Sequence, residues 1–330
     1  MIKFFNVNNP TVTLFLFLYV IVLNLVLFIE PAFFAVPQTS APFSQLFFHL
    51  TEILFNNNHY VLSVITVIML FVQALMLNSL MGAAKLFDTV TFVPSVVYVT
   101  AVCLFREFLF LSPALLSMTF IIPALGKTLK FFRQQRCFAE VFDMGFLTGV
   151  AGLFYKPAFL LVVLLFIALA VMRSFNWREW AIGFSGFVSI IFLTGTFYYL
   201  TDKLPVFMQG YILSATVLPG SRFSSVISLS LIAGYTAILA FAAVIIFLLN
   251  FLKSAVLARK FVILAWWAFL LLFLPSLFPG RVTLHHFVVL CVPLSIVISY
   301  LFVNIRRVRI ANIIHYGWVA VVLFFQYYKG

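Results

Sequence analysis

The sequence predicts an all-α, polytopic integral membrane protein with about eleven transmembrane helices and interfacial helices in its outer loops. Of the 330 residues, 65% are hydrophobic and 8% are charged, whereas a soluble domain carries roughly 25% charged residues. The mean hydropathy is +1.20, which excludes a disordered chain because disorder requires low hydrophobicity. A bilayer-spanning helix needs about 20 apolar residues. Eleven spans would leave no room for a soluble catalytic domain.

The predicted spans are the apolar runs that are bounded by charged residues. They cover residues 11–29, 60–81, 90–105, 108–125, 141–155, 158–172, 181–200, 226–251, 261–278, 284–303 and 311–327. The fifth and sixth are short and are separated by Lys156 and Pro157, which predicts a helix pair that reaches only part of the way across. Residues 1–330 are predicted to form a single transmembrane domain.

The basic residues predict the orientation of the chain. If the N-terminus is cytoplasmic, 14 of the 20 lysines and arginines flank the cytoplasmic ends of the spans and 6 lie outside, as the positive-inside rule requires. The six outer residues are Arg106, Lys156, Lys203, Arg222, Arg281 and Lys329. We therefore expect a cytoplasmic (inner) membrane protein with a cytoplasmic N-terminus and an external C-terminus. The first span is predicted to be a retained anchor, because no A-x-A cleavage site follows it.

The net charge of +12 does not indicate nucleic acid as a partner, because the basic residues are spread between the spans and form no single patch. The three cysteines, Cys103, Cys137 and Cys291, lie in or beside apolar segments without paired spacing. Neither a disulfide framework nor a metal site is therefore indicated by the cysteines. They are typical of small apolar core residues.

The two longest polar segments, 30–59 and 201–225, are predicted to be outer loops, and long loops in compact proteins usually carry a site. Within the first, residues 43–55 predict an amphipathic interfacial helix. Gln45, His49, Glu52 and Asn56 form its polar stripe, and Phe43, Leu46, Phe47, Leu50 and Leu54 form its apolar face. A similar stretch, 204–218, is predicted in the second loop.

The candidate site residues are charged or polar groups at the predicted outer ends of the spans, where an ionisable group is costly and often functional. Glu30 is the candidate catalytic base or ligand of a divalent cation, and no cofactor beyond such a cation is indicated. His49, Glu52 and Glu107 are candidate acceptor-binding or auxiliary groups. The candidate lipid-phosphate-binding residues are Lys156, Arg222, Arg281, His285 and His286. For each of them, a simple interfacial or snorkelling charge is the alternative.

Two segments resemble the GT-C superfamily of membrane glycosyltransferases, which take sugars from polyprenyl-phosphate donors. The run Gly145-Phe-Leu-Thr-Gly149-Val-Ala-Gly152-Leu-Phe-Tyr-Lys156-Pro157 resembles a glycine-punctuated pair of short spans in that superfamily. The run Arg281-Val-Thr-Leu-His285-His286-Phe-Val-Val-Leu-Cys-Val-Pro293 is similar to a late span of its mannosyl- and aminoarabinose-transferase-like members. The chain also resembles multi-pass membrane proteins of Bacteroidota.

The resemblance covers about residues 1–305. It implies a core of about seven spans within 1–200, a variable set within 201–330, and a catalytic acid in the first outer loop, where Glu30 stands. The chain departs from the superfamily pattern because this loop lacks the usual pair of neighbouring acids: Glu30 and Glu52 are far apart in sequence. The resemblance thus implies a minimal or divergent member.

Three functions follow as hypotheses. The first is a glycosyltransferase that moves a sugar from a polyprenyl-phosphate donor to an envelope acceptor at the outer face of the membrane. The second is a noncatalytic scaffold or lipid-binding subunit of an envelope-assembly complex, with membrane lipids and a membrane protein as partners. The third is a lipid-carrier flippase or transporter, whose polar path would begin at Gln73, Asn78 and Asp88.

Overall fold

The computed structural model describes residues 10–29, 41–56, 58–87, 91–132, 134, 136–208, 226–250, 254–277, 284–305 and 308–327. Over these residues the protein is all-helical and has no β-strand. The α-helices are α1 (Pro10–Leu23), α2 (Val26–Ile29), α3 (Pro42–Phe55), α4 (His59–Ala83), α5 (Val93–Val102), α6 (Pro113–Lys130), α7 (Phe138–Phe154), α8 (Leu161–Met172), α9 (Trp177–Leu200), α10 (Leu204–Phe207), α11 (Val226–Asn250), α12 (Val256–Phe273), α13 (Cys291–Asn304) and α14 (Val308–Tyr327). Short 3-10 turns cover Arg106–Phe108, Lys156–Leu160, Leu274–Leu277 and Leu284–Leu290.

Helical structure lies within every predicted span. Four helical segments in the described part of the chain are long and apolar enough to cross a membrane: His59–Ala83, Trp177–Leu200, Val256–Leu277 and His285–Asn304. The described apolar helices elsewhere are shorter, such as Val93–Val102 and Lys156–Met172. The helical class is thus confirmed and the four apolar helices are compatible with a membrane protein, while the count of eleven spans stays a prediction.

The centre of the protein is α5, a ten-residue helix whose side chains are all buried. The helices α1, α4, α13 and α14 pack around it. Its residues are mostly valine and alanine, and its polar side chains are short enough to bond to nearby backbone. Ser95 donates to the carbonyl of Ala74 at 2.9 Å, and Thr100 donates to the carbonyl of Val96 at 2.8 Å. A buried helix requires such pairing because no water is available to its polar groups.

Longer polar side chains link α5 to its neighbours. The Tyr98 hydroxyl donates to Oε1 of Gln73 on α4 at 2.7 Å. On another side, the Tyr19 hydroxyl lies 2.6 Å from Oγ1 of Thr100 and 3.4 Å from Nε2 of His315 on α14. Because these groups pair with each other inside the bundle, they fix how α1, α4 and α14 are rotated against α5.

Ion pairs join helix ends at the predicted cytoplasmic side. Nζ of Lys127 lies 2.5 Å from Oδ2 of Asp143, which links the end of α6 to the start of α7. Nε of Arg173 lies 3.1 Å from Oε2 of Glu179, a side chain that is 2% exposed. Basic residues at this side were predicted to set topology; the structure shows that two of them also hold neighbouring helices together.

The amphipathic helix predicted in the first outer loop is present as α3, but its packing face differs from the predicted apolar face. Ser44, Phe48 and Thr51 are buried against the bundle, whereas Leu46 and Leu50 are exposed. The helix therefore has three faces: one on the protein, one exposed and apolar, and one polar. The prediction missed the protein-facing side because hydropathy alone cannot distinguish burial in protein from burial in lipid. Of the stretch predicted at 204–218, the structure describes a helix only at α10, and the rest lies outside the described residues.

Candidate functional site

Three turns meet at one end of the helical bundle, which we call the Lys156 end. The turn Arg106–Phe108 packs against the 3-10 segment Leu284–Leu290, and the turn Lys156–Leu160 packs against α12, α8 and α7. Arg106, Glu107 and Lys156 were predicted to lie outside between spans, and residues 284–290 were predicted to begin the tenth span at its outer end. Four of the nine predicted site residues, Glu107, Lys156, His285 and His286, therefore lie at this end.

The turn that carries Lys156 is formed by a sharp change in backbone direction. α7 ends at Phe154, Tyr155 adopts extended dihedral angles (φ −143°, ψ 104°), and the 3-10 turn begins at Lys156 with Pro157 as its second residue. Proline is favoured in the first turn of a helix because its fixed φ suits the helix and no N–H is lost. The prediction of two short helices separated by Lys156 and Pro157 agrees with these boundaries.

Lys156 lies at an apolar groove with a volume of about 350 Å³. The other lining residues are all apolar and come from α8, α9, α10 and the 3-10 turn. Phe187 and Ile191 of α9 form part of the wall, and Phe207 of α10 contributes a further aromatic ring. Val163, also in the wall, is 41% exposed, so the groove is accessible from the side of the bundle. The groove can thus hold an apolar chain beside a cationic group, and its volume falls within the usual range for ligand sites.

His286 is fully buried and both of its ring nitrogens are engaged. Nε2 lies 2.7 Å from the carbonyl oxygen of Leu272, and Nδ1 lies 2.7 Å from the hydroxyl of Tyr155. Because a carbonyl oxygen only accepts, the network assigns the proton to Nε2, and Nδ1 then accepts from the tyrosine. Binding of a lipid phosphate by His286 would require one of these bonds to break.

Glu107 and His285 are brought together by the packing of their turns. A hydrogen bond links the backbone of Glu107 to the His285 side chain. Both side chains are half-buried. The pair places a carboxylate and an imidazole at the same end of the bundle as Lys156.

His49 and Glu52 lie on the outer surface of α3. Their side chains are 72% and 61% exposed, and Nδ1 of His49 lies 4.0 Å from Oε2 of Glu52. An exposed pair at this separation contributes little to stability. α3 itself rests on the Lys156 end, because the ring of Phe43 lies 5.6 Å from that of Phe154 at the end of α7.

The remaining predicted site residues, Glu30, Arg222 and Arg281, lie outside the described residues, as does Asp88 of the proposed transport path. Gln73 of that path is fully buried and bonds to Tyr98, Thr119 and the Leu115 carbonyl. Across the described ranges, no group of three or more His, Cys, Asp or Glu side chains is placed to hold a metal ion. The divalent cation stays a prediction that depends on Glu30.

Two contributors to this end were missed by sequence reasoning. Tyr155 was treated as a terminal apolar residue of a span, although its hydroxyl makes the bond to His286. Phe207 was assigned to an interfacial helix, although it is 3% exposed and lines the groove. The tyrosine beside a lysine and a proline at a span end was an available signal, whereas nothing in the local pattern marks Phe207.

Comparison of the chain with models of known protein families, with curated proteins and with solved structures finds no match. Only the structure itself is then left to describe the kind of protein. It is a helical protein, compatible with a membrane, in which a lysine lies beside an apolar groove. Its function has to be argued from that geometry.

Proposed function

We propose that this chain is a membrane glycosyltransferase of GT-C-like, polytopic architecture, which takes a sugar from a polyprenyl-phosphate donor at the outer face of the cytoplasmic membrane. The observation that carries the proposal is the position of Lys156 beside a groove whose other lining residues are all apolar. An isoprenoid chain is apolar and its phosphate is anionic, so one molecule satisfies both features. In a bilayer the tail is already out of water, so van der Waals contacts with the groove wall replace its contacts with lipid. The Lys156 ammonium supplies the preference for an anionic headgroup.

The transfer step assigned to this site conserves atoms and charge. The bond between the sugar C1 and the phosphate oxygen breaks, and the electron pair leaves with the polyprenyl phosphate. The acceptor hydroxyl oxygen forms the new bond to C1, and its proton passes to a carboxylate that acts as general base. Lys156 would stabilise the charge on the departing phosphate. We assign the base to Glu30 because the resemblance implies an acid in the first outer loop, with Glu107 beside His285 as the auxiliary group.

A lipid-binding experiment tests whether the groove and Lys156 bind a polyprenyl phosphate. The protein in nanodiscs is titrated with a polyprenyl phosphate and with the polyprenol of equal length, and binding is followed by native mass spectrometry. Lys156→Met should reduce the preference for the phosphate by about ten-fold, which corresponds to the loss of one charge-assisted contact. Lys203→Met is the matched control, because Lys203 precedes α10 and is exposed outside the groove. Equal preferences in wild type and Lys156→Met would overturn the lipid site.

Transfer itself is tested with Glu30→Gln. The variant should express and bind polyprenyl phosphate normally but should not release sugar from a radiolabelled polyprenyl-phosphate donor in the presence of membrane acceptors. Full transfer by Glu30→Gln would remove the proposed base. Asp202→Asn serves as its control, because Asp202 is an exposed acid in the other predicted outer loop and is not among the candidate site residues.

A noncatalytic lipid-binding scaffold is the second candidate, and a specific observation favours it. Among the described acids, only Glu107 lies at the turns of the Lys156 end, whereas Glu52 is on the exposed surface of α3. His286, moreover, uses both ring nitrogens inside the bundle. Three results together would identify this scaffold. The wild-type protein would bind polyprenyl phosphate more tightly than Lys156→Met does, it would transfer no sugar, and it would copurify with a membrane protein in a fixed ratio.

The orientation that both candidates require is also a proposal. The N-terminus is expected in the cytoplasm and the Lys156 end outside. A cysteine introduced by Glu52→Cys on α3 should react with a membrane-impermeant maleimide added to intact cells. A cysteine introduced by Glu140→Cys at the start of α7 should react only after the membrane is opened. The reverse pattern would place the Lys156 end in the cytoplasm.

A further inference from the structure

Tyr155 and His286 connect three parts of the Lys156 end that are far apart in the sequence. The tyrosine follows α7, the histidine lies in the 3-10 segment before α13, and the carbonyl of Leu272 belongs to the last turn of α12. The two hydrogen bonds are both 2.7 Å long. All three groups are buried: Tyr155 is 7% exposed, and Leu272 and His286 are 0% exposed. Tyr155, His286 and the Leu272 carbonyl thus form a buried hydrogen-bond network that joins α7, α12 and the segment before α13.

The link acts on the residue that follows Tyr155. Lys156 shares a peptide bond with Tyr155, and the extended conformation of Tyr155 sets the direction in which the 3-10 turn leaves α7. A side chain whose hydroxyl is held at a buried point restrains the backbone from which it extends. The same turn also provides Phe159 and Leu160 to the groove wall. The position of the lysine relative to the groove therefore depends on the tyrosine–histidine bond.

We propose that Tyr155 and His286 are positioning residues that hold Lys156 at the groove and so determine its preference for a phosphorylated over an uncharged polyprenyl lipid. This inference rests on the proposed lipid site. It assigns His286 a role that differs from direct phosphate binding: the imidazole remains inside the bundle and acts through Tyr155. It also accounts for two adjacent histidines with different environments, since only the second is fully buried.

The test is a double-mutant cycle between Tyr155→Phe and Lys156→Met, measured in nanodiscs with polyprenyl phosphate and polyprenol as probes. Tyr155→Phe retains the ring and removes only the hydroxyl. It should lower the preference for the phosphate by about five-fold, less than the ten-fold loss expected for Lys156→Met because the ammonium is displaced but not removed, and leave polyprenol affinity unchanged. In the Lys156→Met background the same substitution should have no further effect on preference, because a residue that acts through Lys156 cannot act after its removal.

Two further variants keep this result interpretable. Tyr199→Phe is the matched control, since Tyr199 lies near the end of α9 and is 66% exposed. His286→Leu removes the acceptor of the Tyr155 hydroxyl and should reproduce the selective loss of phosphate preference expected for Tyr155→Phe. Wild-type preference in His286→Leu would overturn the positioning role. Thermal denaturation of every variant reports on folding.

The outcomes separate the two proposals. If Lys156→Met changes the preference but Tyr155→Phe leaves it intact, or lowers it equally in both backgrounds, the positioning role is wrong and the lipid site stands. An equal loss of affinity for both probes in Tyr155→Phe would show a purely structural bond and would also overturn it. If Lys156→Met itself has no effect, the lipid site and the positioning role fail together.

Discussion

Gly145 of α7 lies directly against the backbone of Gly183 of α9: a Cβ atom at position 145 would be 2.1 Å from the Gly183 carbonyl oxygen. Such an approach is possible only where no side chain stands between two helices. Gly186 repeats the arrangement, because a Cβ there would lie 2.3 Å from the carbonyl oxygen of Phe142. Of the glycines noted in the sequence, Gly145 and Gly149 thus allow α7 to pack against α9, whereas Gly152 faces the ring of Phe159 in the 3-10 turn.

Gly145→Ala should destabilise the protein by about 1–3 kcal/mol, the usual cost of overpacking a tight interface. The clashing atom belongs to the backbone, so it cannot be relieved by a side-chain rotation, and α7 must move away from α9. The measurement is the midpoint of thermal unfolding in detergent. The control is Gly82→Ala, where a Cβ would meet nothing within 4 Å and where alanine favours the helix by up to about 1 kcal/mol. Similar midpoints for the two variants would contradict the close approach.

Glu179→Gln should cost about 1–3 kcal/mol, because it removes the anionic partner of Arg173, whose side chain is 15% exposed, while the amide oxygen can still accept a hydrogen bond. Arg173 also donates to the carbonyl of Gln134 at 2.7 Å, so its charge is fixed in place and cannot turn to solvent freely. Glu52→Gln, which removes the acid of the exposed pair with His49, should change stability by less than about 1 kcal/mol. Unfolding midpoints that rank the two variants in the opposite order would show that the Arg173 pair is screened.

The bond between Tyr98 and Gln73 should show strong coupling in a double-mutant cycle. Tyr98→Phe removes the only donor that the structure shows for Oε1 of Gln73 among the described residues, and a hydrogen bond in a membrane bundle is worth about 0.6–1.7 kcal/mol. Gln73→Leu leaves the tyrosine hydroxyl buried without that acceptor. The double variant should therefore be more stable than the sum of the two single losses predicts. Strict additivity of the unfolding free energies would indicate that the two groups do not interact.

The Cys137 thiol should react slowly with maleimides in the folded protein. The pKa of this thiol is raised to about 11, mainly by burial and also by the nearby carboxylate of Glu179, while Arg173 acts in the opposite direction. Because the thiolate is the nucleophile, only about one thiol in a thousand is reactive at pH 8, against about a quarter for an unperturbed cysteine with a pKa near 8.5. Labelling should therefore accelerate about ten-fold for each unit of pH up to about 11.

This labelling is followed by mass spectrometry, with Cys137→Ser to identify the modified peptide. A cysteine introduced by Glu52→Cys provides an exposed reference thiol in the same protein. Rapid modification of Cys137 at pH 8, at the rate of the reference thiol, would show that the segment before α7 opens readily.

Much of the helical layout was predictable because each span is a local property of the chain. The boundary at Lys156 and Pro157 and the helix α3 follow from hydropathy and proline position, and both agree with the structure. The face of α3 that contacts protein was not predictable. Phe48 and Leu50 have similar hydropathy, yet Phe48 is 8% exposed and Leu50 46%, since burial depends on where neighbouring helices lie.

The candidate site was likewise predictable only in part. Lys156, Glu107 and His285 were identifiable as charged or polar groups beside apolar runs, where such groups are costly. The partner of His286 was not, because Tyr155 is 131 positions away in the sequence. Nor could the groove be inferred, since Phe187 and Phe207 reach it from two other helices.

By itself, then, the sequence determined that this protein is helical and belongs in a membrane, because the transfer of an apolar segment into a bilayer depends on the composition of that segment. Only the tertiary structure decided which polar groups meet. The rotation and separation of packed helices join Tyr155 to His286 and bring Gly145 against Gly183. These contacts arise from the mutual fit of distant surfaces, and no local pattern in the chain specifies them.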